Sequence, residues 1–403
     1  MTPTDKAILL LIKSALGGKV DSLPSDVDWP LLFDMSEQQG VNGLAVDGFN
    51  VLRPSLPDNA ALEYRKFQFF GGTMQMEQMY AEHEQVIAGL ASFYNEHNIR
   101  LMILKGYGLS LDWPKPNHRP VGDIDTYNFG KWKVADALVE KELGIKVDRG
   151  HHHHTVFSFH GVTVENHYDF VNVYAHRDAP AIEAKLKELA AKDVKIVRIV
   201  RKGLEGETKI SQNTPNIQNT PNTPNIQNPP NSPNGSSATI YLPSATFNAI
   251  FLMRHMGQHF AGERVTLRQL LDWHFFYTKH KDEVDWDMVI PFYKEIGIYE
   301  FFEHINHICE WALCTNTNLT NHTNKKDSVD SYNSCSGLNA IEIRILNDIL
   351  HPEFTACGSG PLFKLKRWYA NRWKHRLVYN ENLVTMFITL AWSHLRRPEV
   401  CRE

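Results

Sequence analysis

The chain of 403 residues lacks the features that mark several special classes of protein. It has only five cysteines, an odd number without CxxC spacing, so neither a disulfide framework nor a zinc ribbon is expected. The longest apolar stretch near its end, Leu383 to Trp392, is about half of the roughly 20 residues that span a bilayer, so we expect no membrane span. The formal net charge of −4 excludes a global basic field that would attract nucleic acid.

The composition that remains is that of an ordinary globular protein, with 42% hydrophobic and 22% charged residues. At this length the chain can form one large domain or two to three modest ones. The amino-terminal apolar run contains Lys13 and follows Asp5, which favours an amphipathic helix over a secretion signal. We therefore expect a cytoplasmic protein.

One tract departs from this composition. Residues 212–237 hold eight asparagines, six of the 20 prolines and no charge, and such a stretch cannot bury enough apolar surface to offset its ordering entropy. Strand-like sequences flank it, namely ETKI at residues 207–210 and ATIYLP at residues 238–243. Because long loop insertions cost little stability, a disordered loop between two strands is favoured over a domain boundary.

Hydrophobic periodicity divides the rest of the chain into helical and mixed regions. Apolar residues recur at helical spacing before residue 98 and again after residue 244. Between them the pattern predicts short strands, a helix at Trp132–Leu143 and a hairpin turned by Gly161, which together form an α+β (or α/β) core with a mixed β-sheet. The predicted strands in this part are residues 99–106, 122–129, 155–160 and 162–170. The predicted regions are residues 1–95 (helical), 96–243 (α/β core) and 244–403 (helical).

Three carboxylates are expected to meet in this core. Alternation along the second predicted strand places Asp123 and Asp125 on one face, and in the later hairpin Glu165 shares a face with His167. Adjacent carboxylates repel unless a divalent cation such as magnesium lies between them. If the two strands are neighbours, the carboxylates form a site for one or two metal ions. The alternative is a turn at the Asp-Ile-Asp sequence and a solvated Glu165.

Arg119 lies four residues before Asp123. Its guanidinium can bind a phosphate in bidentate fashion, which would bring a cation for phosphate close to the carboxylates for metal. A structural ion pair is the equal alternative. After the tract, Arg268 and Asp272 lie at i and i+4 and are predicted to form an intrahelical ion pair.

Histidines form two further patterns. In the run His151–His154, strand alternation sends successive rings to opposite faces, so at most two are expected to converge, and a solvated start to the strand is favoured over a metal site. His154 is the ring able to approach the carboxylates. His255 and His259 share one helix face but lack the glutamate of a metalloprotease HExxH motif. For His255 a packed or capping role is favoured over a place in a pocket wall.

A basic stretch, KLKRWYANRWKHR, spans Lys364 to Arg376 and has six lysines or arginines, three interleaved aromatic residues and no acid. Basic charge with aromatic rings can bind single-stranded nucleic acid. A helix whose tryptophans pack on the domain is the commoner outcome, and RNA stays open as a partner.

The motifs that contain most of these candidate functional residues resemble a known family. They are LKGYGLSLDWPKPNHRPVGDIDTYNF at residues 104–129, HHTVFSFHGVTVENHYDF at residues 153–170 and RHMGQHFAGERVTLRQLLDW at residues 254–273. Over Trp29 to Phe276, these resemble the uncharacterised nucleotidyltransferase family of the DNA polymerase β-like superfamily. The resemblance implies a minimal nucleotidyltransferase fold, in which a turn that opens a helix holds the triphosphate and acidic residues on neighbouring strands bind magnesium.

Site residues follow from matching these motifs to the family. Asp123 and Asp125 match the paired metal ligands, and Glu165 matches the third acidic position. His167 follows Glu165 at the spacing of the family. The resemblance implies that His167 and Arg119 lie at the bound nucleotide.

The phosphate-binding turn departs from the usual pattern. Lys105 and Gly106 match the turn before the phosphate-binding helix, where the superfamily usually has a Gly-Gly or Gly-Ser pair. This chain has Gly106-Tyr107 instead, with Gly108 and Ser110 following. The candidates for the missing contact to phosphate are therefore Lys105 and Ser110.

The implied activity is magnesium-dependent transfer of a nucleoside monophosphate from a nucleoside triphosphate to a hydroxyl acceptor, with one or two magnesium ions as cofactor. The acceptor can be a small molecule, a protein side chain or an RNA end. The alternative from another class is a non-catalytic nucleotide-binding or antitoxin-like regulatory module of the same fold. Three intact carboxylates favour the enzyme, and the altered glycine turn favours the module.

Overall fold

The computed structural model describes residues 1–200, 237–313, 337–352 and 361–382, with residues 384–386, 388, 389 and 392. The predicted disordered loop at residues 212–237 therefore lies outside the described residues, except for Ser237, and so does the strand predicted at residues 207–210. Within the described part, no helix is long and apolar enough to cross a membrane.

Fourteen α-helices form within these described residues. Capping boxes at Thr2, Thr266 and Asn339 satisfy free amide groups at the start of three of them. Before the sheet the helices are α1 (Pro3–Ala15), α2 (Trp29–Gln38), α3 (Asn42–Leu52) and α4 (Ala60–Glu96). Between strands they are α5 (Tyr107–Ser110), α6 (Trp132–Leu143) and α7 (Ala179–Lys192). After the sheet they are α8 (Ala245–Gly262), α9 (Leu267–His280), α10 (Trp286–Glu295), α11 (Tyr299–Leu313), α12 (Ala340–Leu350), α13 (Pro361–Ala370) and α14 (Arg372–Val378).

Six strands of the described chain form one mixed sheet. They are β1 (Met102–Ile103), β2 (Ile124–Tyr127), β3 (His154–Phe159), β4 (Val162–His167), β5 (Val194–Val200) and β6 (Ser237–Pro243). Their order across the sheet is β3–β4–β2–β1–β6–β5. β2 pairs in parallel with β4, and β1 with β6, whereas the other neighbours are antiparallel. This is the predicted α+β fold, a mixed sheet with flanking helices.

Most predicted elements of the core are confirmed. The helix at Trp132–Leu143 has the predicted bounds, and β3 and β4 form the predicted hairpin, in which Gly161 turns with a φ of 81°. The first predicted strand is shorter than expected, because only Met102 and Ile103 join the ladder. β5 was not predicted, although Val and Ile alternate there with Lys and Arg, and it pairs with β6 across residues 201–236.

The sheet separates two buried clusters. Ile124 and Val164 point to one face and pack against α4 and α6. Tyr127 and Tyr241 belong to the cluster on the other face, which is built mainly from α7 to α12. Since successive side chains of a strand alternate, Asp125 and Glu165 face the second side, toward α8 and α9.

The second cluster is large and continuous. It includes Ile8 of α1, Met102 of the sheet and Val378 of α14, so helices from both ends of the chain contribute to one core. The division into regions at residues 95 and 243 stays a prediction. This shared core holds α8 and α9 against the sheet, where they form one side of a cleft.

Candidate active site

Two neighbouring parallel strands bring Asp125 and Glu165 together. The register of β2 and β4 places Asp125 directly beside Glu165, and paired residues point to the same face of a sheet. Asp125 is buried, whereas Glu165 is half-buried at the edge of a cleft. The prediction that these strands are neighbours is therefore confirmed by the pairing of β2 with β4.

Asp123 lies just before β2 and lines the same cleft. Burial and the negative charges of Glu165 and Asp125 raise the pKa of Asp123 above its usual range. This shift shows that negative charge accumulates at this edge of the sheet. A bound cation would relieve that repulsion.

Lys105 follows β1 and extends into the cleft. Its Nζ lies 2.8 Å from Oδ1 of Asp125 and 3.2 Å from Nε2 of His255. Burial lowers the pKa of His255 well below its usual value, so the neutral ring accepts a hydrogen bond from the Lys105 ammonium. The next residue, Gly106, has a φ of 51°, a conformation that favours glycine and turns the chain into the single turn of α5.

His167 lies between the two carboxylates. Its Nε2 is 3.1 Å from Oδ1 of Asp125 and 3.5 Å from Oε2 of Glu165, and its Nδ1 is 3.2 Å from the carbonyl oxygen of Asp169. Burial opposes protonation, but the hydrogen bonds to Asp125 and Glu165 outweigh it and raise the pKa of His167. Burial likewise opposes ionisation of Asp125, yet Lys105 and His167 hold its pKa below the usual range.

These groups fit a divalent cation. One ligand atom each from Asp125, Glu165 and His167 lies within 4.8 Å of the other two. Carboxylate oxygens are ligands that magnesium prefers, and Asp123 adds a further carboxylate to the same cleft. The donor set therefore suits the metal that the fold implies, with His167 as a nitrogen neighbour.

Ser110 does not reach this site. Its side chain is fully buried, its hydroxyl donates to the carbonyl oxygen of Tyr107 at 2.7 Å, and it shares a 2.8 Å hydrogen bond with the hydroxyl of Tyr80. The prediction that Ser110 could supply the missing contact to phosphate is therefore wrong, because both partners hold its hydroxyl inside the core. Lys105 is the candidate that faces the cleft.

Two roles were predicted as alternatives for Arg119, and the structure shows the ion pair. Its Nε and Nη2 donate to the two carboxylate oxygens of Asp272 at 2.8 and 2.9 Å, and both side chains are buried. Nε1 of Trp113 also donates to Asp272, at 2.9 Å. The predicted pair of Arg268 with Asp272 is therefore wrong, because a residue from the loop before β2 takes this carboxylate.

Arg268 is the phosphate candidate that sequence reasoning missed. It lines the cleft near the start of α9, and its buried Nε has no hydrogen-bond partner among the described residues. Burial and the positive charge of Arg119 lower the pKa of Arg268, and the negative charge of Asp272 only partly offsets them. Its stem packs over Gly40, where a Cβ would lie 3.2 Å from that of Arg268. No local signal could distinguish this arginine from a surface ion pair.

The histidine run brings two of its rings to one site, as expected, but they are the adjacent His153 and His154 rather than rings of alternate residues. Ligand atoms of His153, His154 and His167 lie within 4.8 Å of one another. His153 precedes β3, so the alternation of a strand does not govern its direction. Burial and neighbouring positive or imidazole groups lower the pKa of His153 to about 2, which keeps the ring neutral. The prediction of a solvated start to the strand is wrong.

Two predicted features remain, His255 and the basic stretch from Lys364 to Arg376. His255 is a pocket-wall residue as well as a packed one, because it lines the cleft and contacts Lys105. In the basic stretch, Lys374 is buried and pairs with Asp348 at 2.6 Å, and the Trp373 ring packs against Phe260. Those two residues face the core, as the commoner alternative expected. The side chain of Lys364 lies outside the described residues.

The cleft measures about 420 Å³, a volume typical of small-molecule sites. Two sides of opposite character line it. The sheet wall comprises Asp123, Asp125, Glu165 and His167, and the helix wall comprises His255, His259 and Arg268.

A mixed sheet whose neighbouring strands present carboxylates, in a cleft that also holds cations, fits the nucleotidyltransferase class. Residues 25–313, more than half of the chain, match the family described as uncharacterised nucleotidyltransferase, and the chain belongs to this family. Family membership supports nucleotidyl transfer as the general activity and a nucleotide as substrate. No curated protein and no solved structure matches the chain.

Proposed function

We propose that the protein is a magnesium-dependent nucleotidyltransferase that moves a nucleoside monophosphate from a nucleoside triphosphate to a hydroxyl acceptor. One observation carries the proposal. A single cleft holds three carboxylates suited to magnesium and two cations suited to phosphate. The carboxylates are Asp123, Asp125 and Glu165, and the cations are Lys105 and Arg268.

The carboxylates of the sheet wall would hold the metal. When bound, magnesium supplies charge neutralisation for the triphosphate and lowers the pKa of an acceptor hydroxyl. The chain itself contributes position and charge, which account for most of the catalysis of phosphoryl chemistry. Strand pairing fixes Asp125 beside Glu165, so these ligands need little reorganisation.

The cations orient the triphosphate. Lys105 is directed into the cleft by Asp125 on one side and the neutral His255 on the other. Arg268 presents a planar guanidinium that can bind phosphate oxygens in bidentate fashion. An arriving phosphate would give the buried Nε of Arg268 the hydrogen-bond partner that it lacks among the described residues.

The test is an assay of the full chain with magnesium and each labelled nucleoside triphosphate, with and without cell extract. Pyrophosphate release and label transfer are the measured quantities. We expect transfer by wild type and by the control Asp112→Asn, whose carboxylate pairs with His280, and loss of transfer by Asp125→Asn. Equal transfer by all three proteins would refute the assignment. Sensitivity of the labelled product to nuclease or protease then identifies the acceptor as RNA, protein or small molecule.

A non-catalytic module is the second candidate, and one observation favours it. Asp125 is already engaged by Lys105 and His167, so its oxygens are compensated without a metal. In that case nucleotides would bind the cleft without pyrophosphate release in any extract. Equilibrium binding measured beside the transfer assay separates the two functions.

A further inference from the structure

A group of imidazoles adjoins the carboxylates of the sheet wall. The rings of His153, His154 and His167 have centroid separations of 4.5, 5.2 and 5.3 Å, and one nitrogen of each lies within 4.8 Å of the others. We propose that these three imidazoles form a nitrogen site for a first-row transition-metal dication such as Zn²⁺, beside the oxygen ligands for magnesium. The site is argued from its own ligands and does not depend on nucleotide transfer.

Backbone hydrogen bonds fix all three residues. His154 lies directly opposite His167 in the antiparallel pair of β3 and β4, so both side chains point to one face. The carbonyl oxygen of His153 accepts hydrogen bonds from the amides of Tyr168 and Asp169, at 2.9 and 3.1 Å. This ties the residue before β3 to the end of β4 and brings its ring over His167. Ligands held by paired strands are preorganised for a metal.

The chemistry of the donors separates this group from the carboxylates. Imidazole nitrogen suits zinc, copper, iron and nickel, whereas carboxylate oxygen suits magnesium. The buried Nδ1 of His153 has no hydrogen-bond partner within the described part of the chain. Buried polar atoms are nearly always paired, and an orphan of this kind calls for an explanation. A metal bound at the three rings supplies the partner.

The geometry needs only a small adjustment. Tetrahedral zinc with Zn–N distances of 2.0–2.1 Å places its nitrogens about 3.4 Å apart, so ring rotations that close the group by about 1 Å suffice. Glu165 can complete the shell, because its Oε2 lies 4.0 Å from Nδ1 of His154 and 3.5 Å from Nε2 of His167. Three nitrogens and one oxygen are a common zinc ligand set.

Burial distinguishes this group from a flexible histidine run on a surface. His154 is 8% exposed and His167 is 2% exposed. Ordering several rings around one point costs conformational entropy. Packing of the three rings without a metal is the competing explanation, and a binding experiment decides between them.

The experiment uses the full chain without an affinity tag of histidines, stripped with a chelator and free of nucleotide. Zn²⁺ binding is measured by competition with a chromophoric chelator in excess magnesium. We expect one Zn²⁺ per chain. His153→Ala and His154→Ala should each weaken its affinity by more than the roughly 10–100-fold that loss of a supporting outer partner costs. His152→Ala, from the same run but outside the group, is the matched control and should keep the wild-type affinity.

Equal Zn²⁺ affinity in all four proteins, or an equal loss in the control, would overturn the proposal. Far-UV circular dichroism establishes that each variant is folded. The visible spectrum of bound Co²⁺ provides a second readout, since a tetrahedral nitrogen site absorbs strongly and His153→Asn should abolish that band. Zn²⁺ binding without nucleotide transfer would count against the proposed function alone.

Discussion

The two walls of the cleft differ in how their charges are balanced. In the sheet wall, Asp125 is compensated within the protein by Lys105 and His167. In the helix wall, Arg268 has a buried Nε without a partner among the described residues. A carboxylate that is paired with a cation can exchange that cation for a metal ion. A guanidinium donor without a hydrogen-bond partner favours binding of an anion. The difference suggests that the sheet wall binds metal and the helix wall binds phosphate.

The partner of Asp272 in the helix wall is a residue from outside this wall, Arg119. Asp272 lies one helical turn after Arg268 and could have neutralised it. Arg119 and Trp113 bind both oxygens of this carboxylate instead. Arg119 therefore engages both oxygens of Asp272, which still lies close enough to Arg268 for its negative charge to favour the Arg268 cation.

Breaking that arrangement gives the largest expected effect. Asp272→Ala leaves the buried Arg119 guanidinium without a carboxylate and should lower the free energy of unfolding by about 3–5 kcal/mol, measured by urea denaturation. The double variant Arg119→Met with Asp272→Leu replaces the pair with apolar groups, so we expect a smaller loss. A loss below about 1 kcal/mol in Asp272→Ala would place this pair among weak surface pairs.

The sheet wall is tested through its half-buried carboxylate. Glu165→Gln keeps the shape but removes the charge, and we expect nucleotidyl transfer to fall by roughly 10²–10³-fold. Glu140→Gln removes a carboxylate that pairs with Arg149 on the surface and serves as the control. Transfer rates within twofold of each other in the two variants would exclude Glu165 from the site.

The helix wall is tested by Arg268→Gln. Loss of a charged hydrogen bond to phosphate should weaken nucleotide binding by about 10–100-fold, measured by equilibrium binding. The free energy of unfolding should stay nearly constant, because Arg268 is half-buried and its Nε makes no hydrogen bond within the described part of the chain that the variant would remove. Arg264→Gln, on the exposed loop before α9, is the control. A loss of stability without a change in affinity would instead make Arg268 structural.

The smallest effect concerns the loop that carries Arg119. Nδ1 of His118 lies 2.8 Å from Asp47, and its Nε2 lies 2.9 Å from Glu77. Burial opposes protonation, but hydrogen bonds to Asp47 and Glu77 outweigh it and raise the pKa of His118 above 6.5. The folded state thus holds this proton more tightly, so its stabilisation is present below pH 6.5 and is lost as the pH rises through the folded pKa.

We expect this loss to amount to roughly 1 kcal/mol and to be absent in His118→Gln. Unfolding measured across this pH range in both proteins isolates the contribution of His118 from that of other histidines. Parallel pH profiles for the two proteins would show that the loop is held by packing rather than by this proton.

Local periodicity accounts for the parts of the fold that were predicted. Helix α6 and the hairpin of β3 and β4 have spacing and turn residues that act over a few positions. β1 is shorter than its apolar run suggested, although the amide of Leu104 still donates to the carbonyl oxygen of Asp125 and the carbonyl oxygen of Leu101 accepts from Tyr241. β5 was missed because a half-exposed strand of mixed apolar and basic residues has a weak signal.

The sequence by itself determined which side chains share a face within one strand, such as Glu165 and His167, because alternation is a property of the backbone. The pairing of β2 with β4, which brings Asp125 beside Glu165, is a tertiary contact. Only the tertiary structure decided which arginine pairs with Asp272, which hydroxyl is buried and which rings converge. Arg119 takes Asp272, Ser110 lies in the core and His153 joins His154 because each depends on partners far away in the chain or outside a regular strand. Those partners are set by tertiary packing and not by spacing along the sequence.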